Sequence, residues 1–224
     1  NRMVSKVNAL EPDLVVFTGD LVNNFASELV GWKPILDKIK GKDGVYAILG
    51  NHDYGDYVKW RTPKDKEQNF AEIVSFFDKV GWKLMRNERK MLVKNSDTLM
   101  LAGVENWGHP PFPQYGDLNM SVPLTTKHPV LLLSHDPSHW ESEIIDHQAN
   151  IFLTLSGHTH GFQFGIRSSW LNLSPVSMKY EKWGGLYEQE NRLLYINVGA
   201  GTIGFPGRIG MRPEITLLTL HSKN

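Results

Sequence analysis

Cysteine is absent from all 224 residues, which excludes disulfides, thiolate metal sites and cysteine nucleophiles. That absence suits a reducing cytoplasm and an exported protein equally. Net charge is absent too. The 24 Lys and Arg balance 24 Asp and Glu, so no global field favours nucleic acid or an anionic membrane surface as a partner. Any attraction for a phosphate must be local. Long apolar runs are also missing: 14–17 and 130–133 stop far short of the ~18 residues that a spanning helix requires. No stretch reads as a signal peptide, an internal repeat, a low-complexity tract or a linker. What is present, 41% hydrophobic residues, suffices for one sizeable core, and the length points to a single domain over residues 1–224.

Four short apolar runs each end in polar residues. Leu14-Val15-Val16-Phe17 leads to Thr18-Gly19-Asp20, and Val45-Tyr46-Ala47-Ile48-Leu49 to Gly50-Asn51-His52-Asp53. Val130-Leu131-Leu132-Leu133 leads to Ser134-His135-Asp136, and 151–155 to Ser156-Gly157-His158. Such runs suit strands buried on both faces. Between them lie helical spacings: Leu29, Ile35, Leu36 and Ile39, then Phe70, Ile73, Val74, Phe77 and Val80. Ser138 and Glu141 form the pattern of a capping box, which predicts a helix of about ten residues starting near His139. Alternating strands and helices imply a largely parallel α/β sheet. A hairpin over 90–104, turning at Asn95-Ser96-Asp97, and strands at 195–198 and 215–218 suggest a second, mixed sheet. Residues 108–123, rich in Pro and Gly, read as a surface loop.

Ligands of open α/β sheets bind beyond the carboxyl ends of strands. The sequence puts Asp20, Asn51, His52, His135, His158 and His160 there. Carboxylate, amide oxygen and imidazole together suit a borderline divalent cation such as manganese, iron or zinc, whereas magnesium or calcium would prefer oxygen alone. Each element has an ordinary reading by itself: Gly-Asp after a strand is a turn, two histidines between glycines a polar loop, His135 a satisfied core histidine. Their joint occurrence, each after an apolar run, has no such common cause. A metal site is therefore expected.

Gly19-Asp20, Gly50-Asn51-His52-Asp53, His135 and Gly157-His158-Thr159-His160 resemble the sequence blocks of the calcineurin-like metallophosphoesterases. The resemblance implies a four-layer αββα sandwich of two mixed sheets and a dinuclear hydrolase with two divalent transition metals. Asp20 would bridge the metals, Asn51, His135 and His158 would complete one site, and His160 would join the other. A metal-activated hydroxide would cleave a phosphoester or diphosphate while His52 assists the leaving group. Asp53 is read as support for its loop. The stretch from Trp183-Gly184-Gly185 through Arg212-Pro213-Glu214-Ile215 is similar to bacterial members that are often membrane-anchored or exported, some acting on lipid-linked diphosphates. That likeness favours a membrane-associated or exported setting over a cytoplasmic one, and makes a lipid-linked substrate an expectation.

Two departures matter. The family's Asp-x-His block occurs nowhere in the chain, so the first strand and its ligand loop are expected upstream, together with any membrane attachment. One well-formed metal site is accordingly expected here. Asn23 stands where many relatives carry an aspartate that pairs with the catalytic histidine; asparagine orients an imidazole but adds no negative charge. A competing reading is a metal-binding scaffold with an incomplete, inactive site. A third takes the aromatic residues at 107–115 and Trp183 as an exposed contact surface. Substrate-binding residues are not legible.

Overall fold

The computed structural model describes residues 2–110, 112–167 and 171–221. Three parallel strands, β1 (Leu14–Phe17), β2 (Gly44–Ala47) and β3 (Lys83–Leu84), form a small sheet in the order β1-β2-β3. The larger, mixed sheet has the order β10-β11-β7-β6-β5-β4. It is built from β4 (Glu88–Lys94), β5 (Asp97–Gly103), β6 (Val130–Leu133), β7 (Ile151–Ser156), β10 (Gly185–Gln189) and β11 (Arg192–Ile196). A two-stranded ribbon pairs β8 (Ile166–Arg167) with β9 (Asn172–Leu173).

Alternation along the strands sorts side chains into layers. Tyr46 and Ile48 point into a core shared with Leu131, Leu133, Leu153 and Leu155, which lies between the sheets. Val45, Ala47 and Leu49 face the other way, onto Val4, Ile73 and Phe77 of the helices. Val130, Leu132, Leu194 and Ile196 face Trp140 and Ile144 beyond the second sheet. The result is the layered sandwich expected, with helix α3 (Pro63–Lys79) the main outer element of the first half. Its start is fixed by Thr62, whose hydroxyl accepts from the Asp65 amide at 3.2 Å while Asp65 accepts from the Thr62 amide at 2.9 Å. The short α1 (Arg2–Ala9) buries Val4 against the same core, whereas Leu10 lies outside it and is exposed.

Several expectations are corrected. The helix predicted before β2 is broken into a turn at Ala26–Leu29 and the single-turn α2 (Lys33–Leu36), divided at Gly31, which adopts φ +84°. The helix near His139 is one wide π-helical turn over Trp140–Ile144, closed by the Ile145 amide on the Trp140 carbonyl at 2.9 Å. Ser138 does not cap it: the Ser138 amide and hydroxyl both donate to Asp136, and Glu141 pairs with Lys182. Residues 215–218 pair with no strand among the described residues. Glu214 donates one backbone bond to Gly199 and Thr216 meets Asn197, but strand propensity without a ladder partner leaves the segment outside any sheet and Leu217 exposed. The 108–123 stretch is not all surface: α4 (Leu118–Ser121) buries Leu118 and Val122, and Pro111 lies outside the described residues. Trp107 and Trp183 are buried, so they offer no exposed aromatic surface; Trp107 stacks on His139 with centroids 4.7 Å apart.

The loops after β1 and β2 are stitched by a single carboxylate. Asp53, fully buried, accepts from the amides of Asp20 (3.0 Å), Leu21 (2.7 Å), Val22 (3.2 Å) and Gly50 (2.9 Å). Burial and the neighbouring Asp20 charge raise its pKa to about 7, while the backbone donors act in the opposite sense. Asparagine at this position would offer one acceptor and turn an NH2 toward amides that need acceptors. Asp53→Asn should therefore lower unfolding stability by about 3 kcal/mol in urea titration. A change below about 0.5 kcal/mol, within the range of an ordinary surface substitution, would contradict this role.

Candidate metal centre

Gly19 and Gly50 let the two strand-end loops touch. A Cβ on Gly19, at φ +97°, would lie 2.5 Å from the Gly50 nitrogen and 2.6 Å from Nδ1 of His135. The close approach brings Asp20, itself at φ +58°, to the amide of His52, which donates to Asp20 Oδ1 at 3.0 Å. The second oxygen, Oδ2, is buried and has no hydrogen-bond partner. It lies 3.2 Å from Nε2 of His135 and 3.3 Å from Nε2 of His160.

The protons of these rings are set by what stands behind them. His135 Nδ1 is 2.6 Å from the Thr18 carbonyl, which can only accept, so Nδ1 carries the hydrogen and Nε2 turns its lone pair to Asp20 and to Asn51 Oδ1, 3.1 Å away. Asn51 is oriented in turn, because its NH2 donates to Tyr57 Oη at 2.7 Å. His158 Nδ1 lies 2.7 Å from the same Asn51 oxygen. Its Nε2 faces the Tyr180 hydroxyl at 2.6 Å and Asp136 Oδ2 at 3.4 Å, two oxygens able to take its proton. Acceptor atoms of Asp20, His135 and His158 fall within 4.8 Å of one another, the only such metal-sized group among the described residues.

These atoms need a positive charge among them. A neutral His135 would set a lone pair against two acceptor oxygens, the kind of buried conflict that a proton or a cation must relieve. Burial pushes His135 down, but the Asp20 charge outweighs it and raises the imidazole to about 9. Burial likewise opposes ionisation of Asp20, and the neighbouring His135 nevertheless holds its carboxyl well below the usual range. Burial takes His158 down to about 4, against the pull of Asp136, so this ring is neutral at pH 7. Two oxygens and two imidazole nitrogens fit a manganese-, iron- or zinc-like ion better than magnesium.

Every sequence-predicted residue lies in this region, with differences of role. His160 meets only the Asp20 oxygen and is more open. His52 stands apart from the converging atoms: its Nδ1 donates to the backbone carbonyl of Asn23 at 2.8 Å, and Nε2 has no hydrogen bond among the described residues. The Asn23 side chain instead donates to Glu28 at 2.8 Å, and Glu28 also accepts from the amides of Asn23, Asn24 and Phe25. Although burial works against it, these donors keep the Glu28 carboxyl below its ordinary value. Asp136, Tyr180, Tyr57 and Glu28 escaped sequence reasoning. Asp136 could have been flagged beside His135, but nothing local marks Tyr180, which arrives 22 residues after His158.

Comparison with known proteins agrees with this geometry. The chain is 31% identical over 231 residues to a "Transmembrane protein with metallophosphoesterase domain" of Danio rerio, covering 98% of this chain and 48% of that protein. It is 30% identical to the Bos taurus protein of the same description, at 99% and 49% coverage. The chain thus spans about half the length of these relatives. The "Uncharacterized metallophosphoesterase YkuE" of Bacillus subtilis is 29% identical, at 99% and 72% coverage. Among solved structures, the NAD nucleotidase of Haemophilus influenzae superposes with a TM-score of 0.54 at 11% identity, over 87% of this chain and 43% of that one, a likeness of fold. The sequence profile described as "Calcineurin-like phosphoesterase" matches residues 1–162, and the chain belongs to that family.

Proposed function

We propose that this domain hydrolyses a phosphoester or diphosphate with a metal ion held by Asp20, Asn51, His135 and His158. The observation that carries the reading is the convergence of Asp20 Oδ2, Asn51 Oδ1, His135 Nε2 and His158 Nδ1 with no donor proton to reconcile them at neutral His135. A divalent cation bound there supplies Lewis acidity toward phosphoryl oxygens and lowers the pKa of water. His160, on Asp20 Oδ2, would begin a second site of the dinuclear kind. The remaining work falls to the chain. Asn23 fixes His52 through its carbonyl, so a protonated His52 keeps that bond while Nε2–H donates to the departing oxygen. The names of the vertebrate relatives support a transmembrane or membrane-associated whole protein, although no described helix is long and apolar enough to cross a membrane.

Metal uptake should displace a proton. His135, lifted from 6.5 to about 9, is charged at pH 7 in the metal-free protein, and coordination requires its Nε2 lone pair. The stability this charge gives the metal-free fold is complete below pH 6.5 and fades as pH rises through about 9; because a metal competes with the same proton, its affinity should rise with pH up to about 9 and then level off. Calorimetry with manganese in buffers of different ionisation enthalpy should find about one proton released per tight site at pH 7. No release would contradict the assignment of His135 as a ligand.

His52→Ala separates the enzyme from a metal-binding scaffold. An alkyl alkoxide needs a proton to leave, whereas p-nitrophenolate does not, so the loss of about 10²- to 10⁴-fold should appear mainly with alkyl esters at unchanged metal content. Equal losses for both would remove His52 from the acid role. A metal-loaded protein that turns over neither class would favour the scaffold.

A further inference from the structure

His52 borders a pocket of about 410 Å³, open to solvent, whose other walls are Asn23, Asn24 and the 202–206 loop. Because Nδ1 is held by the Asn23 carbonyl, Nε2 is the ring atom left to face a departing oxygen here. Apart from His52, no titratable side chain lines the pocket among the described residues; Ile203, Phe205 and Pro206 give it an apolar face, and Phe205 is 56% exposed. Arg208, just after those residues, donates to the carbonyls of Gly201, Val198 and His160 and is not among the residues that line the pocket.

The apolar wall is held rather than loose. Gln163, buried at 4%, donates to the carbonyls of Ile203 and Phe205, both at 3.0 Å, and accepts from the Ile203 amide. The residues from His160 to Gln163 all adopt φ between +52° and +57°, a left-handed turn that three of the four would not choose unaided. The turn places His160 toward Asp20 and Gln163 under the 202–206 loop. By contrast, a second pocket of about 330 Å³, reached past Asp136 and Tyr180 behind His158, is lined by Lys179, Lys182, Glu141 and Glu181. Charged side chains line the His158 side, whereas none apart from a protonated His52 lines the His52 pocket among the described residues.

Resting on the proposed phosphoester hydrolysis, we infer that the pocket walled by His52, Asn23 and the 202–206 loop binds the leaving group and selects an uncharged alcohol with an apolar face over an anionic one. A diphosphate would have to release a charged phosphate against walls whose only positive group, a protonated His52, loses its charge as it protonates the departing oxygen. A neutral alcohol meets amides for its polar edge and Phe205 for its body. In the step itself, a water oxygen bonds to phosphorus, and the phosphorus–oxygen bond to the alcohol breaks with its electron pair. The departing oxygen takes the Nε2 proton of His52, and the proton lost by water replaces it. The products are the free alcohol and a phosphate carrying the water oxygen.

The test uses the manganese-loaded protein and two methyl aryl phosphodiesters, one with a meta-carboxamide phenol and one with a meta-carboxylate phenol as leaving group. The wild type should prefer the carboxamide by about tenfold or more in kcat/KM. Phe205→Lys, at an exposed position that tolerates it, should reduce that preference at least about tenfold by favouring the carboxylate. Equal kcat/KM for both diesters, or a preference unmoved by Phe205→Lys, would overturn the inference. If neither diester is hydrolysed, the fault lies with the proposed function, and the pocket is judged by binding. NMR titration should then show 3-hydroxybenzamide held more tightly than 3-hydroxybenzoate, with the order reversed in Phe205→Lys. An order that does not respond to the substitution overturns the pocket assignment by itself.

Discussion

A carboxylate oxygen buried without a hydrogen bond, Asp20 Oδ2, is the constraint around which the functional end of this fold is arranged. Its partner oxygen is satisfied by the His52 amide, and its backbone is held by Asp53, so it cannot turn away. Two imidazole nitrogens approach the free oxygen from different strand ends, 3.2 and 3.3 Å away. Each ring could have relieved the strain by presenting a proton permanently. Instead the Thr18 carbonyl takes the Nδ1 hydrogen of His135, and the relief must come from a charge that can be exchanged. That exchangeability is what a metal site requires and what a purely structural ion pair would lack.

The layers behind these loops explain how such an arrangement persists. The strand that leads to His135 is clamped on both faces: Leu131 and Leu133 between the sheets, Val130 and Leu132 beneath Trp140. Rigid strand ends allow the loops to hold unfavourable backbone, with Asp20, His158 and His160 all in the left-handed region. Strain is tolerated here because the surrounding contacts over-determine it. The segment between β6 and the wide π turn belongs to the same logic, since Asp136 accepts from Ser138 with one oxygen and faces His158 with the other.

Much of this was legible in the sequence, and the parts that were not share a reason. Buried parallel strands announce themselves as unbroken apolar runs, and the residues after them fall at the ligand-binding edge by topology alone, so Asp20, Asn51, His135 and His158 could be read before any coordinates. Helix α3 was equally clear from its spacing. The π turn was misread because Ser138 and Glu141 fit a capping box that Asp136 and Lys182 pre-empt. Residues 215–218 have strand composition but no ladder partner among the described residues. Trp107 looked exposed among prolines and is stacked on His139 instead. Tyr180 and the carbonyls of Thr18 and Asn23 act through tertiary contact, for which a linear pattern carries no sign. In each case a long-range partner, not a local preference, decided the outcome.

The central claim is that a cation takes the place among Asp20, Asn51, His135 and His158 that a proton holds in its absence. Diffraction from crystals grown with manganese, collected on both sides of the manganese absorption edge, tests it directly. The account predicts an anomalous peak bonded to Asp20 Oδ2, Asn51 Oδ1, His135 Nε2 and His158 Nδ1, at roughly 2.0 to 2.3 Å from each. Manganese bound elsewhere with this cluster empty, or His135 rotated so that Nδ1 leaves the Thr18 carbonyl, would contradict it.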